Sequence, residues 1–277
     1  MAFVWRSVSL SMLLCLTSIA IAGESRRPIT KPKFDPDARQ VELFTAIEQS
    51  ELEVTMRPKN EFGGNVFLRN VTDKPITVLL PEAIVGIHVH PQFGGGIGGG
   101  AGGGLGGQGT GGLGGGQNQA VGGGLGGGGL GGGGGFGGQQ GGGGGFFSIP
   151  PAETVRIPFQ SVCLEHGKHS PTPRNTYKVV AVEQYSDKPE LKALCTAVGS
   201  GQVDRAVAQA AAWHISSAMT WDQLAAKTFD HAAAADTPYF SYPQLVAARN
   251  LVQAASAHTR QSPAASGQIQ SASPSAR

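Results

Sequence analysis

Two short histidine groups are the residues whose types and spacing suit chemistry. In His88-Val89-His90 the two imidazoles fall on one face of an extended chain, because strand side chains alternate from face to face. Downstream, Cys163-Leu164-Glu165-His166-Gly167-Lys168-His169 spaces a thiol and two imidazoles as Cys-x2-His-x2-His. Imidazole and thiolate are donors for zinc and copper. If the strands carrying these groups pair, His88, His90, His166 and His169 form a candidate metal site, serving a metal-binding protein or a metal-dependent hydrolase. The plainer reading places His88 and His90 on an exposed strand and the second group in a loop.

Other chemistry has less support. Ser200 lies between Gly199 and Gly201 at a predicted helix end, a connector and not a strand-to-helix elbow, and no G-x-S-x-G occurs. Asn70-Val71-Thr72 fits a glycosylation triplet but reads as a chance match in a turn. Cys163 and Cys195 are the cysteines left once the first residues are set aside. They form one possible disulfide, which would withdraw the thiolate from a metal site, or else a pair of buried free thiols.

These groups flank the feature that divides the chain. Residues 94–145 hold 36 of the 44 glycines, and no Asp, Glu, Lys or Arg occurs between His90 and Glu153. Such a stretch offers little side-chain surface to bury against the entropy of ordering its backbone, so it is expected to be a disordered insertion. It lacks the Gly-Lys-Ser/Thr ending of a phosphate loop. Closing a flexible loop of that length costs on the order of 3.5 kcal/mol plus a constant, which a folded domain tolerates.

At the start, Met1 to Ala22 has the layout of a secretory signal: Arg6, the apolar run Val8 to Leu16, and Ala20-Ile21-Ala22 before Gly23. Export to the periplasm, cell envelope or medium is the expectation, with no membrane span after signal removal. Lys and Arg number 21 against 19 Asp and Glu. That near-balance makes no electrostatic case for nucleic acid.

The elements follow from periodicity. Residues 23–36 carry Pro28, Pro32 and Pro36 and read as an extended lead-in. Asp37 and Gln40 have capping-box spacing, and Val41, Phe44 and Ile47 recur at helical spacing, which predicts a short helix ending near Ser50. Alternating runs at Leu52–Met56, Val66–Leu68, Ile76–Leu80, Ile84–Val89, Val155–Cys163 and Tyr177–Glu183 predict strands on both sides of the glycines. Neither half closes a core alone, so the expected fold over 37–185 is one immunoglobulin-like antiparallel β-sandwich with the insertion between two strands. An alanine-rich α-helical region over 186–260 completes an α+β chain, with helices around Leu191/Leu194, Val203–Ile215, Trp221–Phe229 and Tyr242–Val252. Residues 261–277, rich in Ser, Ala and Pro, are expected to be a disordered tail. Trp213 and Trp221 read as core anchors among small neighbours.

The runs Val162-Cys163-Leu164-Glu165-His166-Gly167-Lys168, Pro171-x-Pro173, Gln209-Ala210-Ala211-Ala212-Trp213-His214 and Trp221-Asp222-Gln223-Leu224-Ala225 resemble a group of exported planctomycete-type bacterial proteins with an uncharged Gly-rich insertion. The resemblance covers most of the chain up to Ala225 and implies export and shared architecture, but no reaction. In that group a more apolar segment is expected at Ile87-His88-Val89-His90-Pro91.

The function expected is that of an exported, non-enzymatic structural or interaction protein without a cofactor. Phe93, Ile97, Leu105, Leu113, Val121, Leu125, Leu130, Phe136, Phe146 and Phe147 are spaced along the glycines as apolar contacts for self-association or a cell-envelope partner. A passive spacer is the alternative.

Overall fold

In the runs Leu52–Met56 and Val155–Cys163 polar residues alternate with β-branched, aromatic and other apolar ones, a pattern that suits a sheet with one face buried. The computed structural model describes residues 27–89, 118–125, 145–232 and 235–261, and over these the protein is a mixed α+β fold. The strands are β1 (Arg39–Glu42), β2 (Leu52–Asn60), β3 (Gly63–Asn70), β4 (Ile76–Leu79), β5 (Ile84–His88), β6 (Val121–Leu125), β7 (Phe146–Ile149), β8 (Thr154–Cys163) and β9 (Tyr177–Val180). A helix α1 (Leu43–Glu48) follows β1. The C-terminal part contributes α2 (Val182–Tyr185), α3 (Pro189–Gly199), α4 (Arg205–Ser216), α5 (Trp221–Ala226), the two-residue strands β10 (Thr228–Phe229) and β11 (Thr237–Pro238), and α6 (Tyr242–Gln261).

The expected immunoglobulin-like sandwich is replaced by a closed barrel in the order β2-β3-β8-β6-β5-β9. The ring closes through the pairing of Met56 with Tyr177. A second sheet, β1-β4-β7, runs β1 parallel and β7 antiparallel to β4. The reason for the difference is β6. This strand comes from inside the glycine tract and fills the gap between β5 and β8. Residues 118–125 are therefore ordered and mostly buried, which corrects the reading of 94–145 as disordered throughout. Apart from Gly145, the rest of that tract lies outside the described residues, as do the expected signal segment and the expected tail from Ser262.

The barrel interior is filled by side chains. Met56, Val66, Leu68, Ile84, Val121, Leu125, Ile157, Phe159 and Tyr177 form one cluster with Leu43, Val78, Phe147 and Ile149 of the neighbouring sheet and helix. Within β6 the period of two is plain: Val121 and Leu125 join this interior, while Gly122 and Gly124 turn to the helices. A Cβ on Gly122 would lie 2.7 Å from Cys195 Sγ, and one on Gly124 would lie 2.7 Å from Gly199 Cα. Glycine is thus the residue that lets α3 pack directly on the strand backbone.

The N-terminal segment is tied in as well as extended. Ile29 pairs in parallel with Val155, donating its N–H to Thr154 O and accepting from Arg156 N, both at 2.8 Å. Ser148 N then donates to Lys33 O at 2.9 Å, and Asp35 N to Ser148 Oγ at 2.8 Å. The helix expected from Asp37 is only half helix. Val41 lies in β1, paired with Val78, and α1 begins at Leu43 without a side-chain cap. The last predicted strand is also shorter: beyond Val180 the chain turns into α2.

The helical expectations fare better. Asp204 accepts from the backbone N–H groups of Ala206 and Val207 to start α4, and Thr220 and Gln223 form the complete capping box that opens α5. Trp213 is 5 % exposed and packs in the helical cluster as a core anchor, whereas Trp221 is half-buried against it. That cluster also contains Val85 of β5, Val162 of β8 and Leu164 just beyond it, so the helices pack on the outer face of the barrel in a core of their own. Asn70 is buried, with Nδ2 donating to Lys74 O and Ile149 O, so it is a structural turn residue and not an accessible glycosylation site. No helix among the described residues is long and apolar enough to cross a membrane.

Candidate functional site

The candidate histidines go to separate places. His88 ends β5 opposite Tyr177, its Nε2 lies 3.1 Å from Asn175 Nδ2, and its ring centroid is 5.4 Å from that of Tyr177. His90 lies outside the described residues. His166 turns toward α4: its ring meets Trp213 edge-on at 4.8 Å, and its backbone N–H donates to Ser217 Oγ at 3.0 Å. Partial burial, with Lys227 adding to it, lowers the His166 pKa from its ordinary value. His169 is exposed, and its carbonyl accepts from Gln119 N at 2.9 Å. Among the described residues no group of three or more His, Cys, Asp or Glu is arranged to hold a metal ion.

The cysteines are free and buried, the second of the two readings open for Cys163 and Cys195. Strand alternation explains the separation. Val162 and Leu164 face the helical cluster that contains Cys195, so Cys163 between them belongs to the opposite face of β8. Burial pushes the Cys163 thiol up to about 12, with Glu61 and Glu165 adding to the shift, and burial alone does the same for Cys195. Both are neutral thiols at physiological pH, unsuited to act as thiolate nucleophiles.

What the structure does bring together is the two runs Val162–Lys168 and Gln209–His214. Gln209 is buried on α4, and its side-chain amide spans Cys163: Cys163 N donates to Oε1 at 2.9 Å, and Nε2 donates to Cys163 O at 2.8 Å. One residue on, Leu164 O accepts from Ser216 Oγ at 2.5 Å and Ser217 Oγ at 2.9 Å. The end of β8 is thereby fixed to α4 through its own backbone.

The other side of this junction is held by residues that the sequence reading does not single out. Glu165 accepts from Ala120 N at 2.8 Å and from Lys168 Nζ at 2.5 Å. Gln119 Nε2 donates to Lys168 O, and Tyr177 Oη donates to Gln119 O at 2.9 Å. Asn118 Nδ2 reaches both Ser170 O and Asn175 Oδ1 at 2.8 Å, while Asn175 Oδ1 also accepts from the backbone N–H and hydroxyl of Thr172. One signal for it is present in the chain: Gln117-Asn118-Gln119-Ala120-Val121 is the longest run without glycine inside 94–145. The arrangement grips a peptide backbone with amides, a carboxylate and a phenol. Its chemical role is anchoring, and its cargo is the middle of the glycine tract. Compared with protein-family models, curated proteins and solved structures, the chain matches none of them.

Proposed function

We propose that the protein is an exported, non-enzymatic structural or interaction protein, in which the barrel and helices form a platform for the Gly-rich stretches on either side of β6. The observation that carries this reading is the anchoring of residues 118–125. They pair with β5 and β8, pack under α3 and are bonded by Glu165 and Tyr177, so residues 90–117 and 126–144 are each tethered at both ends to the platform. A mere tolerated expansion has no need of a built strand at its centre. Each stretch serves as an arm or spacer.

Four of the apolar residues spaced along the tract belong to the platform itself. Val121, Leu125 and Phe147 are core residues, and Phe146 packs edge-on against Phe34 at 5.0 Å. The contacts for self-association or a cell-envelope partner are then assigned to Phe93, Ile97, Leu105, Leu113, Leu130 and Phe136. Replacing these six by serine changes none of the described core residues and tests the assignment by sedimentation and cell fractionation. Loss of association or of envelope retention is the expected result; unchanged behaviour in both assays would overturn it.

A further inference from the structure

On the outer face of the barrel an open cleft of about 560 Å³ is bordered by Lys31, Lys59, Arg156 and Arg205 and by no carboxylate. The four cations come from four segments: the N-terminal segment, β2, β8 and the start of α4. None of them makes an ion pair among the described residues, where the bridges are Arg39–Glu51, Arg69–Glu53, Lys168–Glu165 and Lys192–Glu183. The nearest acidic neighbours in sequence, Glu61 and Asp204, are not part of its lining, and Asp204 accepts from the Ala206 and Val207 N–H groups at the start of α4.

The floor of the cleft is bare strand backbone at two glycines that the sheet itself requires. It is formed where β2 and β3 join, at Gly63 and Gly64, with a register shift between Pro58 and Asn60. A Cβ on Gly63 would come 2.3 Å from Phe159 O, and one on Gly64 would come 2.3 Å from Arg57 O. Along β8 the outward residues Arg156, Pro158 and Gln160 follow the groove, a length of about 13 Å at the rise of a strand. A groove of that length is longer than one small anion.

We infer that this cleft binds an elongated ligand bearing several anionic groups, an acidic oligosaccharide, independently of any role of the Gly-rich stretches. Charge complementarity selects the anion: Arg forks and Lys ammonium groups pair with carboxylate or sulfate. The remaining lining selects a sugar over a nucleic acid. Single-stranded nucleic acid is bound by stacking on free aromatic faces; of the two aromatic residues in the lining Phe159 is buried, and Phe62 already carries the Arg205 guanidinium at 5.4 Å. Thr30, Asn60 and Asn65 instead offer the mixed donors and acceptors that hydroxyl groups require. The chain's near-balanced total charge conceals this local cluster.

Calorimetric titration of the purified protein with a heparin-derived hexasaccharide, an oligogalacturonate, inorganic sulfate and a single-stranded oligonucleotide tests the inference. The expected result is that one or both oligosaccharides bind, that binding weakens with added salt, and that Lys59→Glu/Arg156→Glu weakens it at least tenfold. Lys31→Gln/Arg205→Gln should weaken it in the same direction, as a second pair should the first not fold. The pair Arg174→Glu/Lys178→Glu makes the same change of charge on exposed residues outside the cleft and should have less than a twofold effect. The inference is overturned by absence of oligosaccharide binding, by equal losses in the cleft and control pairs, or by an oligonucleotide that binds as tightly as either sugar.

Discussion

Gln209 and Cys163 form a closed, buried pair in which one side-chain amide satisfies both backbone groups of one strand residue, at 2.9 and 2.8 Å. Gln209→Leu keeps the apolar volume but strands a buried N–H and a buried carbonyl, each costing about 1–3 kcal/mol. The expected loss of stability is about 2–4 kcal/mol, read from denaturant midpoints. Gln209→Glu should not rescue it, because a carboxylate keeps the acceptor but loses the donor. A loss below about 0.5 kcal/mol in the leucine variant would show that the pair contributes little.

Much of the fold is legible in the amino-acid sequence. Alternation at Leu52–Met56, Val66–Leu68 and Val155–Cys163 marks three barrel strands, and Thr220-x-x-Gln223 marks a helix start that is present in full. The architecture is not legible, because the strand that closes the barrel consists mainly of glycine and carries no hydrophobic pattern beyond Val121 and Leu125. Its burial comes from contacts with Cys195, Leu164 and Gly199, far away in sequence. The histidine groups are visible by spacing alone, and spacing does not report that His166 turns to Trp213 while His88 sits beside Asn175. The grip of Glu165, Gln119 and Tyr177 on the glycine tract is likewise hidden, since each partner is more than forty residues away.

The packing of α3 on β6 leaves no room for a methyl group. A Cβ on Gly199 would lie 2.6 Å from Gly124 Cα, and one on Gly123 only 1.8 Å from Gln160 O. Gly124→Ala and Gly199→Ala should each destabilise by about 1–3 kcal/mol, and Gly123→Ala by more, because backbone cannot step aside as a side-chain tip can. Deleting residues 94–145 as a block removes β6 and should abolish cooperative unfolding. A block deletion that still unfolds cooperatively at the original midpoint would refute the role of this strand.

The buried thiols make stability fall at alkaline pH. Their folded pKa values, about 12, stand above the ordinary thiol value of 9.0. A group whose folded pKa is raised contributes stability that is complete below the unfolded value and is lost as pH rises toward the folded one. Stability should therefore decline between about pH 9 and 12, and Cys163→Ala and Cys195→Ala should each flatten that decline, whatever they cost at pH 7. Ellman's reagent should label neither residue in the native protein and both in denaturant. Rapid native labelling of either would contradict their burial.

The turn between β7 and β8 offers the one change expected to stabilise. Glu153 N donates to Pro150 O at 3.3 Å, and Ala152, third in that turn, has φ 58°. A turn with proline second and positive φ third favours glycine third, since an L side chain in the left-handed region costs on the order of 1 kcal/mol. Ala152 is exposed, so its methyl group gives little packing in return. Ala152→Gly should raise stability by about 0.5–1 kcal/mol, less whatever the unfolded chain gains in freedom. Thermal and denaturant midpoints measure it, and a lowered midpoint would mean that the entropy of the unfolded chain outweighs the relief of the turn.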